Sequence, residues 1–240
     1  MLSDNSRLRS GTAGDTPACD TGWMSHPALP HPRLPSHGLY AITPDWSEDD
    51  RLIDAVEAVL TAGVGVLQYR NTLATPEQRY TQARRLADRC RHYRTPLIIN
   101  NDPELAARVG AAGVHLGADD PDPASARARL GPEAIIGVSC YDRLERAAQA
   151  AAAGADYLAF GTCYPSTRKP GRPIVAPGVL TEAACFGLPR VAIGGLRPDN
   201  AGVFVAAGAE FLAVIGGVFD SPDPAADVRR FLALFDDHQP

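Results

Sequence analysis

From Gly38 onward the chain repeats one hydrophobic pattern. A short apolar or β-branched run is followed by a polar turn and then by an Ala-, Leu- and Arg-rich amphipathic stretch. The apolar runs predict eight strands, at residues 39–43, 64–69, 97–100, 113–116, 135–139, 157–160, 191–193 and 211–215. The amphipathic stretches predict helices at 49–62, 76–92, 103–110, 122–130, 142–153, 177–186, 198–207 and 223–235. Several of these open on Asp or Pro, which satisfy or dispense with the unpaired N–H groups of a first turn. Several close on an Ala-Gly pair (Ala62-Gly63, Ala112-Gly113, Ala153-Gly154, Ala207-Gly208), where glycine takes the left-handed step out of a helix.

Strictly alternating strands and helices require a parallel sheet with right-handed crossovers. Eight units in about 200 residues predict an α/β chain folded as one compact (β/α)8 TIM barrel. A doubly wound open sheet is the competing architecture, and the lack of a GxGxxG after the first strand weighs against it. The barrel is expected to span residues 38–236, with a short tail at 237–240. Residues 1–37 are rich in Ser, Gly, Pro, Asp and Thr, without periodicity or the apolar core of a signal peptide. They read as a disordered N-terminal extension, within which Met24 offers an alternative start.

Composition narrows the function classes. The 240 residues are 45% hydrophobic and 21% charged, with a net charge of −5, so no basic surface for nucleic acid is expected. No apolar run approaches the ~20 residues of a membrane span. Five scattered cysteines without a CxxC pair suit a reduced, cytoplasmic protein rather than a disulfide framework or a zinc site. The expected partners are phosphorylated small molecules, with neither nucleic acid nor membrane, and a homo-oligomer is admitted.

In a barrel the chemistry collects where strands end at the C-terminal face. Those ends carry Gln68-Tyr-Arg-Asn-Thr72, Asn100-Asn-Asp102, His115-Leu-Gly-Ala-Asp-Asp120, Ser139, Gly194-Gly195 and Gly216-Gly217. After the sixth strand comes Gly161-Thr-Cys-Tyr-Pro-Ser-Thr-Arg-Lys-Pro170, whose Ser166, Thr167, Arg168 and Lys169 are the hydroxyls and cations a phosphate needs. Lys169 is the sole lysine of the chain. The two glycine pairs suit a second phosphate site or, alternatively, two tight turns. Asp102 and Asp120 could face one oxygen-liganded cation, or cap the helices that follow them. Arg70 suits a diphosphate, or a salt bridge to one of those aspartates. His115 reads as a hydrogen-bonded structural histidine, and Cys140 and Cys163 have no partner spaced to activate them.

Taken together these segments resemble the thiamine phosphate synthase family. The likeness runs from Gly38 to about Phe235 and rests on Leu39-Tyr-Ala-Ile-Thr, Gln68-Tyr-Arg-Asn, Asn101-Asp102, Gly113-Val-His-Leu-Gly117, Gly137-Val-Ser139, Gly154-Ala-Asp-Tyr157, Pro165-Ser-Thr-Arg-Lys169 and Ala192-Ile-Gly-Gly195. The resemblance implies a transferase joining 4-amino-5-hydroxymethyl-2-methylpyrimidine diphosphate to hydroxyethyl-thiazole phosphate, or its carboxylate form, with release of pyrophosphate. It implies that Gln68, Tyr69, Arg70, Asn71, Thr72, Asn101, Ser139 and Lys169 meet the pyrimidine diphosphate, with Arg70, Ser139 and Lys169 catalytic. Asp102 and Asp120 would hold Mg²⁺. Ser166, Thr167, Arg168, Gly195, Ile215 and Gly216 would hold the thiazole phosphate.

Four positions depart from that pattern: Thr72 where the family usually has lysine, Arg168 for threonine, Ala118 for glutamine or an acid, and Gly216 for serine. Two other readings stand beside the synthase. One is a thiazole tautomerase-like isomerase, against which the Arg70/Lys169 cations and the Asp102/Asp120 pair argue. The other is a barrel that binds phosphorylated ligands without turnover.

Overall fold

A computed structural model describes residues 34–165 and 173–236 of the chain. Eight parallel strands close on themselves in chain order, β1 pairing with both β2 and β8. They are β1 (Gly38–Ile42), β2 (Val66–Tyr69), β3 (Leu97–Asn100), β4 (Gly113–Leu116), β5 (Ile135–Tyr141), β6 (Tyr157–Phe160), β7 (Arg190–Ile193) and β8 (Phe211–Val214). The helices are α1 (Asp49–Thr61), α2 (Pro76–Tyr93), α3 (Pro103–Val109), α4 (Pro123–Leu130), α5 (Leu144–Ala152), α6 (Gly178–Glu182), α7 (Gly202–Ala206), α8 (Gly216–Phe219) and α9 (Pro224–Asp236), with a 3-10 turn at Ala183–Phe186 after α6. This is the expected (β/α)8 barrel. No helix among the described residues is long and apolar enough to cross a membrane.

The alternation of each strand splits the core into two layers. One face fills the lumen with Tyr40, Ile42, Val66, Ile98, Ile135, Tyr157, Val191 and Phe211. The other face, including Leu39, Leu67, Tyr69, Ile99, Leu158 and Leu212, packs against the helix ring. The lumen is therefore plugged, and ligands have access only at its ends.

Helix ends follow their caps. Thr75, Asp102 and Asp122 accept from the N–H groups of Gln78, Leu105 and Ser125, each ahead of a proline at the first position of its helix. The helix expected to run to residue 110 and close near Ala112-Gly113 stops at Val109, with Gly110 as its cap. Gly113 instead opens β4, where an added Cβ would lie 1.8 Å from the Ile135 carbonyl oxygen. The expected helix 198–207 starts only at Gly202, because Asn200 folds residues 197–201 into a turn through its bonds with Arg197. The short α8 is absent from the periodic reading; two glycines and four residues leave no pattern to detect.

Of the extension expected at residues 1–37, positions 1–33 lie outside the described residues, as does the tail at 237–240. Leu34 is 8% exposed and packs beneath the lumen residues, so the packed chain begins ahead of Gly38.

Candidate active site

The site is built from loops leaving β1 to β5. Thr43, fully buried after β1, donates its hydroxyl to the Arg70 carbonyl at 2.9 Å and accepts the Arg70 N–H at 2.8 Å. This clasp locks the ends of β1 and β2 together. Two residues on, the Asp45 carboxylate takes the Arg70 guanidinium at 2.6 Å. Its other oxygen accepts from the Thr72 N–H at 2.6 Å and the Thr72 hydroxyl at 2.9 Å. Burial pushes the Asp45 carboxyl upward, but the bonds from Thr72 and Arg70 outweigh it and hold the group below the usual carboxylate range.

A cavity of about 270 Å³ opens beside this pair, lined by Arg70, Thr72, Arg79, Asn100 and Asn101 among others. A larger recess of about 440 Å³ lies at the opposite end of the barrel, around Leu34, Gly63–Gly65 and Tyr93–Pro96. We assign the site to the smaller one, because cations and the ends of the strands meet there.

The remaining candidates sort by what they already bind. Gln68 points into the lumen and donates to the Tyr40 hydroxyl at 2.8 Å. Tyr69 borders the cavity, but its hydroxyl is committed as a donor to Gln82 of α2. Asn71, 5% exposed, is also committed: its amide donates to the Trp46 carbonyl and Gln82, and its oxygen accepts from Leu73 and Ala74. These bonds hold the β2–α2 loop, and Asn71 also lines the cavity. Ser139 accepts from or donates to His115 Nε2 at 2.9 Å, and its carbonyl takes the Arg146 guanidinium at 2.6 Å. Arg146 also reaches the Gly117 carbonyl at 2.7 Å, fixing the ends of β4 and β5 to each other.

The two aspartates differ. Asp102 caps α3 with one oxygen and pairs through the other with Arg79 of α2 at 2.8 Å. Arg70 is ion-paired, but to Asp45 and not to Asp102 or Asp120. Asp120 does not cap α4, whose cap is Asp122; it bends back to accept from the Gly117 N–H at 2.5 Å. A Cβ on Gly117 would lie 3.1 Å from Asp120 Oδ2 and 4.0 Å from Asn101 Nδ2, so both side chains flank Gly117. Asn101 holds a left-handed backbone with φ of 61°, which turns the chain at that point. The donors are all oxygens, and Mg²⁺ takes one or two carboxylates while leaving room for water and phosphate. The residues therefore fit Mg²⁺, although no cluster of three acidic, His or Cys side chains forms a cage among the described residues.

On the far side of the mouth, Cys163 and Tyr164 bond the carbonyls of Ile193 and Gly194 through their N–H groups. The loop after β6 is thus zipped to the glycine pair after β7. Gly195 has φ of 65°, and a Cβ there would lie 2.7 Å from the Tyr164 Cβ. Gly217 in α8 approaches the Leu196 carbonyl so closely that a Cβ would sit 2.6 Å from it. The loops bearing Gly195, Ile215 and Gly216 are therefore neighbours. Ser166, Thr167, Arg168 and Lys169 lie outside the described residues. Burial pushes the thiols of Cys140 and Cys163 up to about 12, which keeps both protonated and unreactive.

Asp45 and Arg79 were not anticipated from sequence. Asp45 lies just past the first predicted strand with no motif around it, and Arg79 is one arginine among many on α2. Nothing local marks either as the counter-ion of a site residue.

Residues 39–218 match the protein family described as thiamine monophosphate synthase. The thiamine-phosphate synthase of Methylobacillus flagellatus is 51% identical over 205 residues, covering 85% of this chain and 98% of that one. That of Marinobacter nauticus is 49% identical, covering 85% and 93%. Among solved structures, thiamine phosphate pyrophosphorylase from Pyrococcus furiosus superposes with a TM-score of 0.75 at 28% identity, over 84% of this chain and 96% of that one. A 3-hexulose-6-phosphate synthase at 19% identity and a TM-score of 0.60, over 81% and 98%, shares the fold alone. With one family spanning nearly all of the barrel, and with relatives of half-identical sequence over nearly their full length, the chain belongs to the thiamine monophosphate synthase family.

Proposed function

We propose that the chain transfers the pyrimidinylmethyl group of 4-amino-5-hydroxymethyl-2-methylpyrimidine diphosphate to hydroxyethyl-thiazole phosphate or its carboxylate form. The observation that carries this is the half-identity to a thiamine-phosphate synthase over 98% of that enzyme's length. The oriented Arg70 beside an open cavity supports it independently.

The C–O bond between the pyrimidine methylene and the diphosphate breaks, and its electron pair leaves with pyrophosphate. The thiazole nitrogen lone pair forms the new C–N bond to the same carbon. Charge on the departing diphosphate must be neutralised, and Arg70 is held in place to donate to it. Ser139 and Gln68 offer a hydroxyl and an amide from the lumen side, Asn101 an amide at the rim, and Lys169 a cation from the loop after β6. Thr72 offers its hydroxyl from beside Asp45. Gly195, Ile215 and Gly216, with Ser166, Thr167 and Arg168, would hold the thiazole phosphate. Asp120 would hold Mg²⁺, with Asp102 as the weaker ligand because Arg79 already claims it, and the ion when bound supplies positive charge next to the diphosphate. With the carboxylate form the bond from the ring carbon to its carboxylate also breaks, releasing CO2, and the electron pair left on that carbon takes a proton from water. No step removes a proton from carbon, so the chemistry needs no general base.

Unpaired, buried Cys90, Cys140 and Cys163 support a reducing, cytoplasmic setting. Pyrophosphate release is the direct test. Release that requires both substrates, stops with EDTA and returns with Mg²⁺ is expected. No release with both substrates and Mg²⁺ present overturns the reading.

A further inference from the structure

Five side chains from five strands form an unbroken hydrogen-bonded chain across the lumen. Gln68 Nε2 donates to the Tyr40 hydroxyl at 2.8 Å, and the Tyr40 and Tyr157 hydroxyls are 2.7 Å apart. The Tyr157 hydroxyl lies 3.0 Å from His115 Nδ1, and His115 Nε2 lies 2.9 Å from Ser139 Oγ. Gln68, Tyr40 and Tyr157 are 3%, 2% and 1% exposed, so water cannot substitute for a missing link. The ring of Tyr157 reaches the axis only because residue 137 is glycine, where a Cβ would lie 1.8 Å from the Tyr157 Cζ.

The chain has a direction. The Gln68 amide nitrogen can only donate, so the Tyr40 oxygen accepts and its proton goes to the Tyr157 oxygen. Burial raises both phenols far above their ordinary range, so each keeps one proton to give. Tyr157 then donates to His115 Nδ1, which must be unprotonated. The imidazole proton sits on Nε2 and is given to Ser139 Oγ. The Ser139 hydroxyl proton is left to point elsewhere, toward an acceptor in the mouth.

We propose that His115 is a positioning residue: as the neutral Nε2–H tautomer, it turns Ser139 into a one-way donor toward the diphosphate-bearing substrate. The inference rests on the synthase reading for what Ser139 donates to. Its structural half, the direction of the chain, stands apart from that reading. A cationic His115 would donate from Nδ1, reverse the Tyr157 hydroxyl, and bring two donors onto the Tyr40 oxygen while stranding the Tyr40 proton.

The test uses the full chain with ¹⁵N-labelled histidine, the His115 signals being assigned by their loss in His115→Gln. Long-range ¹⁵N–¹H correlation at neutral pH should show His115 as the Nε2–H tautomer. Tyr157→Phe, which removes the donor to Nδ1, should mix in the other tautomer. Kinetics supply the second arm. In His115→Gln the side-chain amide nitrogen occupies the place of Nε2, and kcat should stay within about threefold of wild type. In His115→Asn the amide reaches the place of Nδ1 but not Ser139, and kcat should fall about tenfold with KM little changed. Ser139→Ala combined with His115→Asn should be no slower than Ser139→Ala alone. An Nδ1–H or cationic His115 in the wild type, or equal losses in the Gln and Asn variants, overturns the proposal. An inactive wild-type protein sinks the synthase reading and the role of His115 in turnover together, while the tautomer still decides the direction of the chain.

Discussion

Asp45 holds the Arg70 guanidinium at 2.6 Å while its second oxygen is occupied by Thr72. One carboxylate thereby orients a cation from the next strand and closes the loop behind it. An arginine so fixed loses little side-chain entropy when a diphosphate arrives, which is the value of preorganisation. It is also partly neutralised, which weakens ground-state attraction for the same ligand. Asp45→Asn removes both effects. We expect kcat to fall roughly tenfold while KM for the diphosphate stays level or drops. A KM that rises with kcat unchanged would contradict the orienting role.

The same pair has a pH signature. The Asp45 carboxyl sits below its ordinary 3.8 in the folded chain, so it stabilises the native state fully above that value. The contribution is lost as pH falls through the lower, folded-state value. The Tm difference between wild type and Asp45→Asn is therefore expected to be flat from about pH 5 to 8 and to shrink below about 4. A difference that changes between pH 5 and 8 would assign the effect to another group.

Much of the barrel was legible because strand and helix periods differ and each unit repeats them. Leu97–Asn100, Gly113–Leu116 and Tyr157–Phe160 fall where the apolar runs place them. Ends were read less well where a distant or special residue decides them, as the Asn200 side chain does before α7 and the left-handed Gly110 backbone does after α3. At the mouth, residue type identified which strand ends carry polar groups but not where each group points. Tyr69 and Asn71 flank Arg70 in sequence, yet both turn to Gln82 on α2. Asp102 and Asn101 are adjacent, yet the helix cap claims the first and the second reaches toward Gly117. Such choices are made by partners distant in sequence, and no local pattern carries them.

Gly137 is required by volume. Tyr157 is 1% exposed and its ring fills the space a Cβ would need. Gly137→Ala must displace a buried aromatic ring or the β5 backbone, an overpacking cost of about 1–3 kcal/mol or more. Urea unfolding should show the loss as a lowered midpoint at unchanged slope. A midpoint equal to wild type would mean the Tyr157 ring lies elsewhere.

Thr72 stands where the family usually carries lysine, and its hydroxyl and N–H both serve Asp45. A missing cation on the diphosphate side would cost roughly 1.5–3 kcal/mol of charge-assisted bonding. We propose that Arg168, on the thiazole-phosphate side, puts that charge back. If it compensates, Thr72→Lys leaves kcat/KM within about threefold of wild type. A gain of tenfold or more would show the diphosphate site to be short of charge and would end the compensation argument.

The two aspartates proposed for Mg²⁺ should separate under mutation, because their present partners differ. Asp102 is already bound to Arg79 and to the first turn of α3, with its side chain 30% exposed. Asp120 is tied only through one oxygen to the Gly117 N–H among its described bonds. Asp120→Asn removes charge without a cap or ion pair to lose. It should raise the Mg²⁺ concentration for half-maximal activity by about tenfold or more with Tm nearly unchanged. Asp102→Asn keeps a competent cap, since asparagine caps as well as aspartate, but it unpairs Arg79. It should lower Tm by a few degrees and shift the Mg²⁺ requirement less than about threefold. Titrating Mg²⁺ against pyrophosphate release in both variants gives the answer. Equal shifts would mean the two carboxylates hold the metal with equal weight, and that Arg79 must let go of Asp102 when the metal binds.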